Sequence, residues 1–214
     1  REQNPEEGMR EKTKQIVADN IEIEEFKDQF PVYKLSEEHL EAVEELDEPA
    51  TQATSIAHAT KEHLQPHVDK NPRYQRLSER VTDIVNRWQS GDMDDPDAVE
   101  KLERLEREAI ELESEADERG MNEAEFAVFS ELVDHHEDWL DGEDEAERLA
   151  RDIHEGFERK VDTSFEGWET NEKTLDHIEV VIIDVLVKDH ELAELVKTED
   201  FIENVRGYLV ENHE

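Results

Sequence analysis

The stretch WETNEKTLDHIEVVIIDVLV, residues 168–187, is the most apolar run of the chain and decides the predicted fold. Its β-branched centre suits either a buried strand or a helix, so length and periodicity have to separate the two. Asn171 can cap a first helical turn, because its side chain accepts from backbone N–H groups. At helical spacing one face collects the apolar residues Leu175, Ile178, Val181, Ile182, Val185 and Leu186. The pattern predicts a helix over 171–187.

This predicted helix carries a second, narrower apolar strip formed by Val180, Ile183 and Val187. A helix with two apolar strips is typically covered on more than one side. We therefore predict that helix 171–187 is the central member of a helical domain.

Capping residues and glycines predict further helices on both sides of this element. Proline at the first helical position follows a capping residue three times, and Gly91 and Gly120 end the helices that two of these pairs start. Together the signals predict an all-α domain of about eight helices. The predicted helix starts are Ser36, Glu48-Pro49, Asn71-Pro72, Asp95-Pro96, Asn122 and Thr198.

The first part of the chain differs from the rest. Residues 21–26, IEIEEF, alternate between apolar and acidic side chains, a pattern that fits one short strand. Pro31 prevents a helix from continuing through that region. We predict an entry segment over residues 1–35 and a helical domain over residues 36–214.

The composition is strongly acidic. The chain has 214 residues, with 62 Asp and Glu against 24 Lys and Arg, for a net charge of −38. High charge with few apolar residues is typical of disorder, but the apolar residues here recur at helical spacing. So uniform an acid excess favours a folded protein from a halophile. At 1 M salt the Debye length is only about 3 Å, so the repulsion between the acids is screened.

Several classes of protein are excluded by what the sequence lacks. It contains no cysteine, which rules out disulfides and thiolate chemistry. No apolar run approaches the roughly 20 residues that span a bilayer, and no signal peptide is visible. We expect a cytoplasmic location. Because the sequence begins at Arg1, we also expect a piece of a longer polypeptide.

Ten histidines raise the hypothesis of a metal site. A ferritin-like site needs Glu three residues before a ligating His, and none of the ten has it. His63 and His67 are spaced by one helical turn and His58 lies one turn earlier, but Pro66 disturbs the regular face. Surface or interface histidines are the favoured interpretation.

Other chemistry is equally sparse. The sequence contains no GxxxxGK or GxGxxG phosphate loop and no nucleophile elbow. Asp97 with Glu158 and Lys160 resembles a nuclease pattern, but these residues lie in predicted helices rather than on adjacent strands. Lys and Arg are interleaved with acids rather than clustered in a basic stripe, so we expect no direct binding to DNA. The sequence predicts no catalytic, cofactor-binding or metal-binding residue.

Two groups of apolar residues could contact a partner. Trp88, Trp139 and Trp168 could be anchors, although a core position is the favoured interpretation. The second group is the stripe of the last predicted helix, which either packs on helix 171–187 or is a contact site. Its residues are Phe201, Ile202, Val205, Tyr208 and Leu209.

Three stretches follow one another in an order that is typical of one protein family. The first stretch is GMREKTKQIVADNI (8–21) with FPVYKLSEEHLEAVEEL (30–46), and the second is ATSIAHATKEHLQPHVDKNPRYQRLSERVTDIVNRW (53–88). ADERGMNEAEFAVFSEL (116–132) and ARDIHEGFERKVDTSFEGW (150–168) form the third. Their order resembles the C-terminal helical domain of the restriction (HsdR) subunit of type I restriction-modification enzymes. The sequence departs from the family after Trp168, where relatives carry several basic residues.

The resemblance implies an assembly role. In the family, a nuclease and two helicase-like motor domains precede this region, and the C-terminal domain joins the motor subunit to the methyltransferase-specificity core. None of the family's catalytic residues maps onto this sequence. No cofactor is expected in this chain, while ATP and Mg are expected for the parent type I site-specific deoxyribonuclease.

Three functional hypotheses follow. The first is a non-catalytic assembly domain, with the methyltransferase and specificity subunits and the upstream motor domains as partners and no membrane contact. The second is an acidic DNA mimic or charge-bearing regulator, whose carboxylates would occupy a basic groove. The third is a metal-dependent helical enzyme, which the missing ligand spacings disfavour.

Overall fold

A computed structural model of the chain describes residues 35–198 and 200–213. These residues form eight α-helices and no strand, which confirms the predicted all-α fold. The possible strand near 21–26, with nearly all of the entry segment, lies outside the described residues. The helices are α1 (Glu37–Glu44), α2 (Pro49–Leu64), α3 (Pro72–Ser90), α4 (Asp95–Arg119), α5 (Glu123–His136), α6 (Glu143–Lys160), α7 (Glu172–Asp184) and α8 (Phe201–Glu211).

The chain divides into two compact units. Of the described residues, the first comprises 35–68 and Tyr74–Ser114, and the second comprises Asp69–Arg73, 115–198 and 200–213. The predicted boundary between residues 35 and 36 is not tested by this division and stays a prediction.

Helices α1 to α3 begin where the capping signals predict, whereas α4 begins one residue early, at Asp95, with Asp94 accepting from the Asp97 N–H at 2.9 Å. The Ser36 side chain accepts from the backbone N–H of His39 at the start of α1, and Pro49 opens α2. Gly91, with a φ of 84°, ends α3 in a Schellman turn, in which the N–H of Asp92 donates to the Arg87 carbonyl at 2.9 Å. The α3 stripe is buried throughout: Tyr74, Leu77, Val81, Ile84, Val85 and Trp88.

In the second unit the most enclosed helix is α5. A capping box starts it, with Asn122 and Glu125 bonding each other's backbone N–H groups. It packs against α6 and α8 and is buried on nearly all sides. Its small residues Ala124 and Ala127 are buried with the larger ones, and a search for the longest apolar run does not detect such a helix. Its buried residues are Ala124, Phe126, Ala127, Val128, Phe129, Ser130, Glu131, Leu132 and His136.

Helix α7 is capped as predicted, but only one of its two apolar strips is buried. The Asn171 side chain accepts from the N–H groups of Lys173 and Thr174. One face is buried and packs on α6 and α8. The second apolar strip is not covered: Val180 is 54% exposed and Val187 is 42% exposed. The expectation that both strips are buried was therefore wrong.

The structure corrects one prediction about the segment that leads into α8 and settles one open alternative. The predicted capping residue, Thr198, lies before the helix, which begins at Phe201 after Asp200 in a left-handed conformation with a φ of 64°. Phe201, Val205 and Leu209 are fully buried, and α8 packs on α7 and α5. The last stripe is thus part of the core rather than a free contact surface.

A glycine permits the close packing of α6 against α7. A Cβ added to Gly156 would lie 3.2 Å from Val181 Cγ1 and 3.3 Å from Val185 Cγ2. Gly207, also within a helix, has nothing within 4 Å of such an atom. This contrast provides a matched pair of substitutions.

We expect Gly156→Ala to lower the free energy of unfolding by about 1–3 kcal/mol, because the added methyl overpacks the α6–α7 contact. Gly207→Ala should raise it by roughly 0.5–1 kcal/mol through helix propensity. Chemical denaturation in molar KCl measures both. Equal effects of the two substitutions would show that α6 and α7 do not depend on a close approach at Gly156.

Candidate functional site

Two ionisable side chains are buried together in the first unit. His39 of α1 and Glu106 of α4 contact each other through Nδ1 and Oε1 at 2.6 Å, and both are almost completely inaccessible. Burial raises the pKa of Glu106, and the hydrogen bond with His39 only partly offsets that effect. The pair ties α1 to α4 and was missed by sequence reasoning. The available signal was the position of Glu106 beside the heptad seam that contains Leu102 and Leu105.

A second buried carboxylate lies in the second unit. Glu131 of α5 accepts hydrogen bonds from Asn204 Nδ2 at 3.1 Å and from the Tyr208 hydroxyl at 3.2 Å. His136 Nε2 lies 3.7 Å from Glu131 Oε1. Burial opposes ionisation, but these neighbours together lower the pKa of Glu131. The ionised carboxylate therefore joins α5 to α8.

The lowered pKa of Glu131 predicts a loss of stability in acid. A group whose pKa is lower in the folded state stabilises the fold above its unfolded pKa, about 4.3 for Glu. That contribution disappears as the pH falls through the folded value. We expect Glu131→Gln to unfold more readily than wild type at pH 7, and the difference to shrink below about pH 4. Denaturation at both pH values is the measurement, and a constant difference would contradict the prediction.

Arginines of the second unit are used within the fold. Arg73 binds Asp134 through two nitrogens, at 2.9 and 3.1 Å, and Glu115 at 2.7 Å. Arg119 lies 4.3 Å from the centroid of the Phe129 ring and also contacts Glu115 and Glu143. Burial of the Arg73 guanidinium opposes its charge, but Asp134 and Glu115 outweigh burial and raise the pKa of Arg73. These cations join helices of the second unit through their acidic partners.

The histidines singled out by sequence lie in the first unit without forming a ligand set. His63 is 3.8 Å from Glu113, and its ring centroid is 6.0 Å from that of His67. His67 stacks on Tyr74 at 4.9 Å, while His58 lies 3.7 Å from Glu62. Within residues 35–198 and 200–213, no group of three or more His, Cys, Asp or Glu side chains could hold a metal ion.

The nuclease-like residues are placed on helices, as expected. Asp97 lies in α4 of the first unit, while Glu158 and Lys160 lie at the end of α6 in the second. Glu158 is engaged by histidines, with His213 Nδ1 at 3.3 Å and His154 Nε2 at 3.9 Å. The structure supplies no adjacent strands to bring such carboxylates together among its described residues.

The tryptophans differ in their surroundings. Trp88 is fully buried and donates from Nε1 to Asp95 Oδ1 at 2.7 Å, which confirms a core role. Trp168 is half-buried against Phe157 and His213. Trp139 is 47% exposed, so the core interpretation was wrong for it. Among the described residues, the large apolar side chains that are exposed are Trp139, Phe165, Val180 and Val187.

These features define an all-α domain whose arginines and buried carboxylates serve mainly to join its own helices. The chain belongs to the family of type I restriction enzyme HindI endonuclease subunit-like C-terminal domains, whose model matches residues 1–205. The family resemblance predicted from the sequence is thereby confirmed. Its name identifies the parent proteins as restriction endonuclease subunits.

Two further comparisons gave no match, one with curated proteins and one with solved structures. In the part of the chain that the structure describes, no helix combines the length and apolarity that crossing a membrane requires.

Proposed function

We propose that this chain is a non-catalytic assembly domain of a type I restriction enzyme motor-nuclease (R) subunit. It docks that subunit to the methyltransferase-specificity core, so that the whole complex can translocate and cleave DNA with ATP. The observation that carries the proposal is the family match over residues 1–205. In this proposal the domain joins the subunits, whereas ATP hydrolysis and DNA cleavage are carried out by the rest of the parent chain.

The distribution of charge supports this role. Basic side chains are outnumbered by acids, 24 to 62, and many of them pair with acids across or along helices. Such a surface repels nucleic acid rather than attracting it. ATP and Mg would accordingly bind in other domains of the parent chain, and this domain would contact protein.

Deletion of this chain from the full subunit tests the proposal. The shortened subunit is expected to retain DNA-dependent ATP hydrolysis by its motor but to lose co-elution with the methyltransferase-specificity core on size exclusion. The intact subunit, mixed with the core under the same salt conditions, is the control. Co-elution of the shortened subunit at an unchanged level would place the assembly contact in another domain.

The isolated chain itself is expected neither to hydrolyse ATP nor to cut DNA. The sequence offers no phosphate loop and no credible carboxylate set for a metal-dependent nuclease. Phosphate release and plasmid nicking, measured with the chain at micromolar concentration in molar KCl, provide the check. Turnover that co-purifies with the folded chain and persists through repeated chromatography would overturn the non-catalytic assignment.

A further inference from the structure

Helix α7 has an uncovered apolar strip, defined here as the α7 outer strip: Val180, Ile183 and Val187. Val180 and Val187 are 54% and 42% exposed, and Ile183 is half-buried. On the opposite side of the same helix, Ile178 and Ile182 are fully buried in the second unit. The core of that unit is therefore complete without the strip.

The strip is also continuous. Of the four large apolar side chains exposed in the described chain, two belong to it, whereas Trp139 and Phe165 lie in separate turns. At its end the α-helix widens into a π turn, Val185–Asp189, in which the N–H of His190 donates to the Val185 carbonyl at 3.2 Å. Val180, Ile183 and Val187 follow one another at spacings of three and four residues, which makes them neighbours on one helical face. Such π turns occur frequently at functional sites.

The charges around the strip restrict what can cover it. Residues 172–189 contain five acids against two lysines. Arg206 engages Glu179, and Lys188 engages Asp184 at 2.7 Å. Asp176, exposed one turn before Val180, keeps the rim acidic. A second copy of this chain, an anionic membrane or DNA would each bring negative charge against that rim. The complementary occupant is a protein surface with apolar side chains among Lys and Arg.

We propose that the α7 outer strip docks onto an apolar patch, rimmed by Lys and Arg, on the methyltransferase-specificity core. This inference rests on the proposed function and specifies the surface that performs it. Because stable interfaces bury about 800 Å² on each partner, three aliphatic residues form the centre of a contact rather than the whole of it. Substitution at the centre has the largest effect on affinity.

The test uses the full restriction subunit carrying Val180→Glu with Val187→Glu, titrated with the purified core in salt that keeps the subunit folded. We expect the Kd to rise at least about tenfold, since two acids enter the apolar centre of the contact. The matched control is Trp139→Glu with Phe165→Glu, which makes the same change at the other two exposed apolar residues. Its Kd should stay within about twofold of wild type.

A charge variant gives an independent readout. Asp176→Lys should weaken binding several-fold at the lowest salt that maintains folding, and that effect should diminish as KCl rises, because salt screens exposed charges. The effect of the apolar variant should persist at high salt. An unchanged or stronger affinity for Asp176→Lys would overturn the basic rim assigned to the partner.

The remaining outcomes separate the two proposals. One outcome is that binding to the core requires this domain but is unaffected by the strip variant. That outcome overturns the α7 outer strip as the docking surface and leaves the proposed function standing. Equal binding by subunits with and without the domain overturns the proposed function itself. A large fall in melting temperature for the strip variant alone would show that the chain's own residues cover the strip. Loss of a wild-type dimer in the strip variant would assign the strip to a second copy.

Discussion

Transfer of the chain from molar KCl to about 0.1 M KCl is expected to unfold it, because the Debye length grows to about 10 Å and its acids then repel one another. The 24 Lys and Arg offset only part of the charge of 62 Asp and Glu, and a net charge of −38 remains. Far-UV circular dichroism and the melting temperature, followed against KCl, measure the effect. A full helical signal and an unchanged melting temperature at low salt would refute adaptation to high salt.

A surface variant tests whether charge repulsion is the cause. Glu111, Asp117 and Glu118 are exposed on α4. Their replacement by Gln, Asn and Gln removes three negative charges and should move the unfolding transition to lower KCl. Glu111→Asp with Glu118→Asp keeps the charge and serves as the control. If both variants shift the transition equally, the salt effect would arise from something other than net charge.

Glu106→Ala is expected to lower the free energy of unfolding by about 3–5 kcal/mol, the usual cost of removing one partner from a buried pair. It removes the carboxylate that contacts His39 and leaves a cavity at a fully buried position. Glu106→Gln should cost less. Burial raises the pKa of Glu106, so the site tolerates a neutral side chain of the same shape. Chemical denaturation in molar KCl measures both.

The double variant His39→Leu with Glu106→Leu removes the polar contact but still fills the space in the core. It therefore separates the effect of the contact from the effect of a cavity. Replacing a buried pair by apolar residues of similar volume is often neutral or stabilising. We therefore expect the double variant to be more stable than Glu106→Ala. The single variants His39→Leu and Glu106→Leu are measured beside it. A loss in the double variant equal to the sum of these two losses would show that each residue acts alone and that the contact does not join α1 to α4.

The helix boundaries could be predicted because they depend on local chemistry. Asn122 and Asn171 satisfy backbone N–H groups within one turn, and Gly91 and Gly120 adopt the left-handed conformation that ends a helix. Thr198 failed as a predicted cap because sequence spacing does not reveal the irregular backbone that follows it. There Asp200 takes a φ of 64° and α8 starts one residue later.

The arrangement of the helices was harder to predict. Helix α7 has the longest apolar run, yet its second strip is exposed, while the alanine-containing α5 is buried on more sides. Periodicity shows which faces of a helix are apolar but not how many neighbours approach it. The buried Glu106 and Glu131 were missed for a similar reason. A carboxylate enters a core only when a distant residue meets it, and that pairing lies outside any local pattern.

The second apolar strip of α7 was visible in the sequence, but its burial was wrongly predicted. Val180, Ile183 and Val187 stood out as a second apolar strip and were expected to be covered by other helices. The stripe of α8 was left open between core and contact site, and the burial of Phe201, Val205 and Leu209 assigns it to the core. Periodicity identified both apolar surfaces but did not show which of them is buried.

Competition for the methyltransferase-specificity core tests the assembly role most directly. The isolated chain, shown by circular dichroism to be folded in molar KCl, is titrated into a complex of the core with a fluorescently labelled full-length restriction subunit. The proposed function predicts that the chain displaces the labelled subunit completely. Retention of the subunit at a large excess of folded chain would contradict it, because the domain would then lack the contact that joins the subunit to the core.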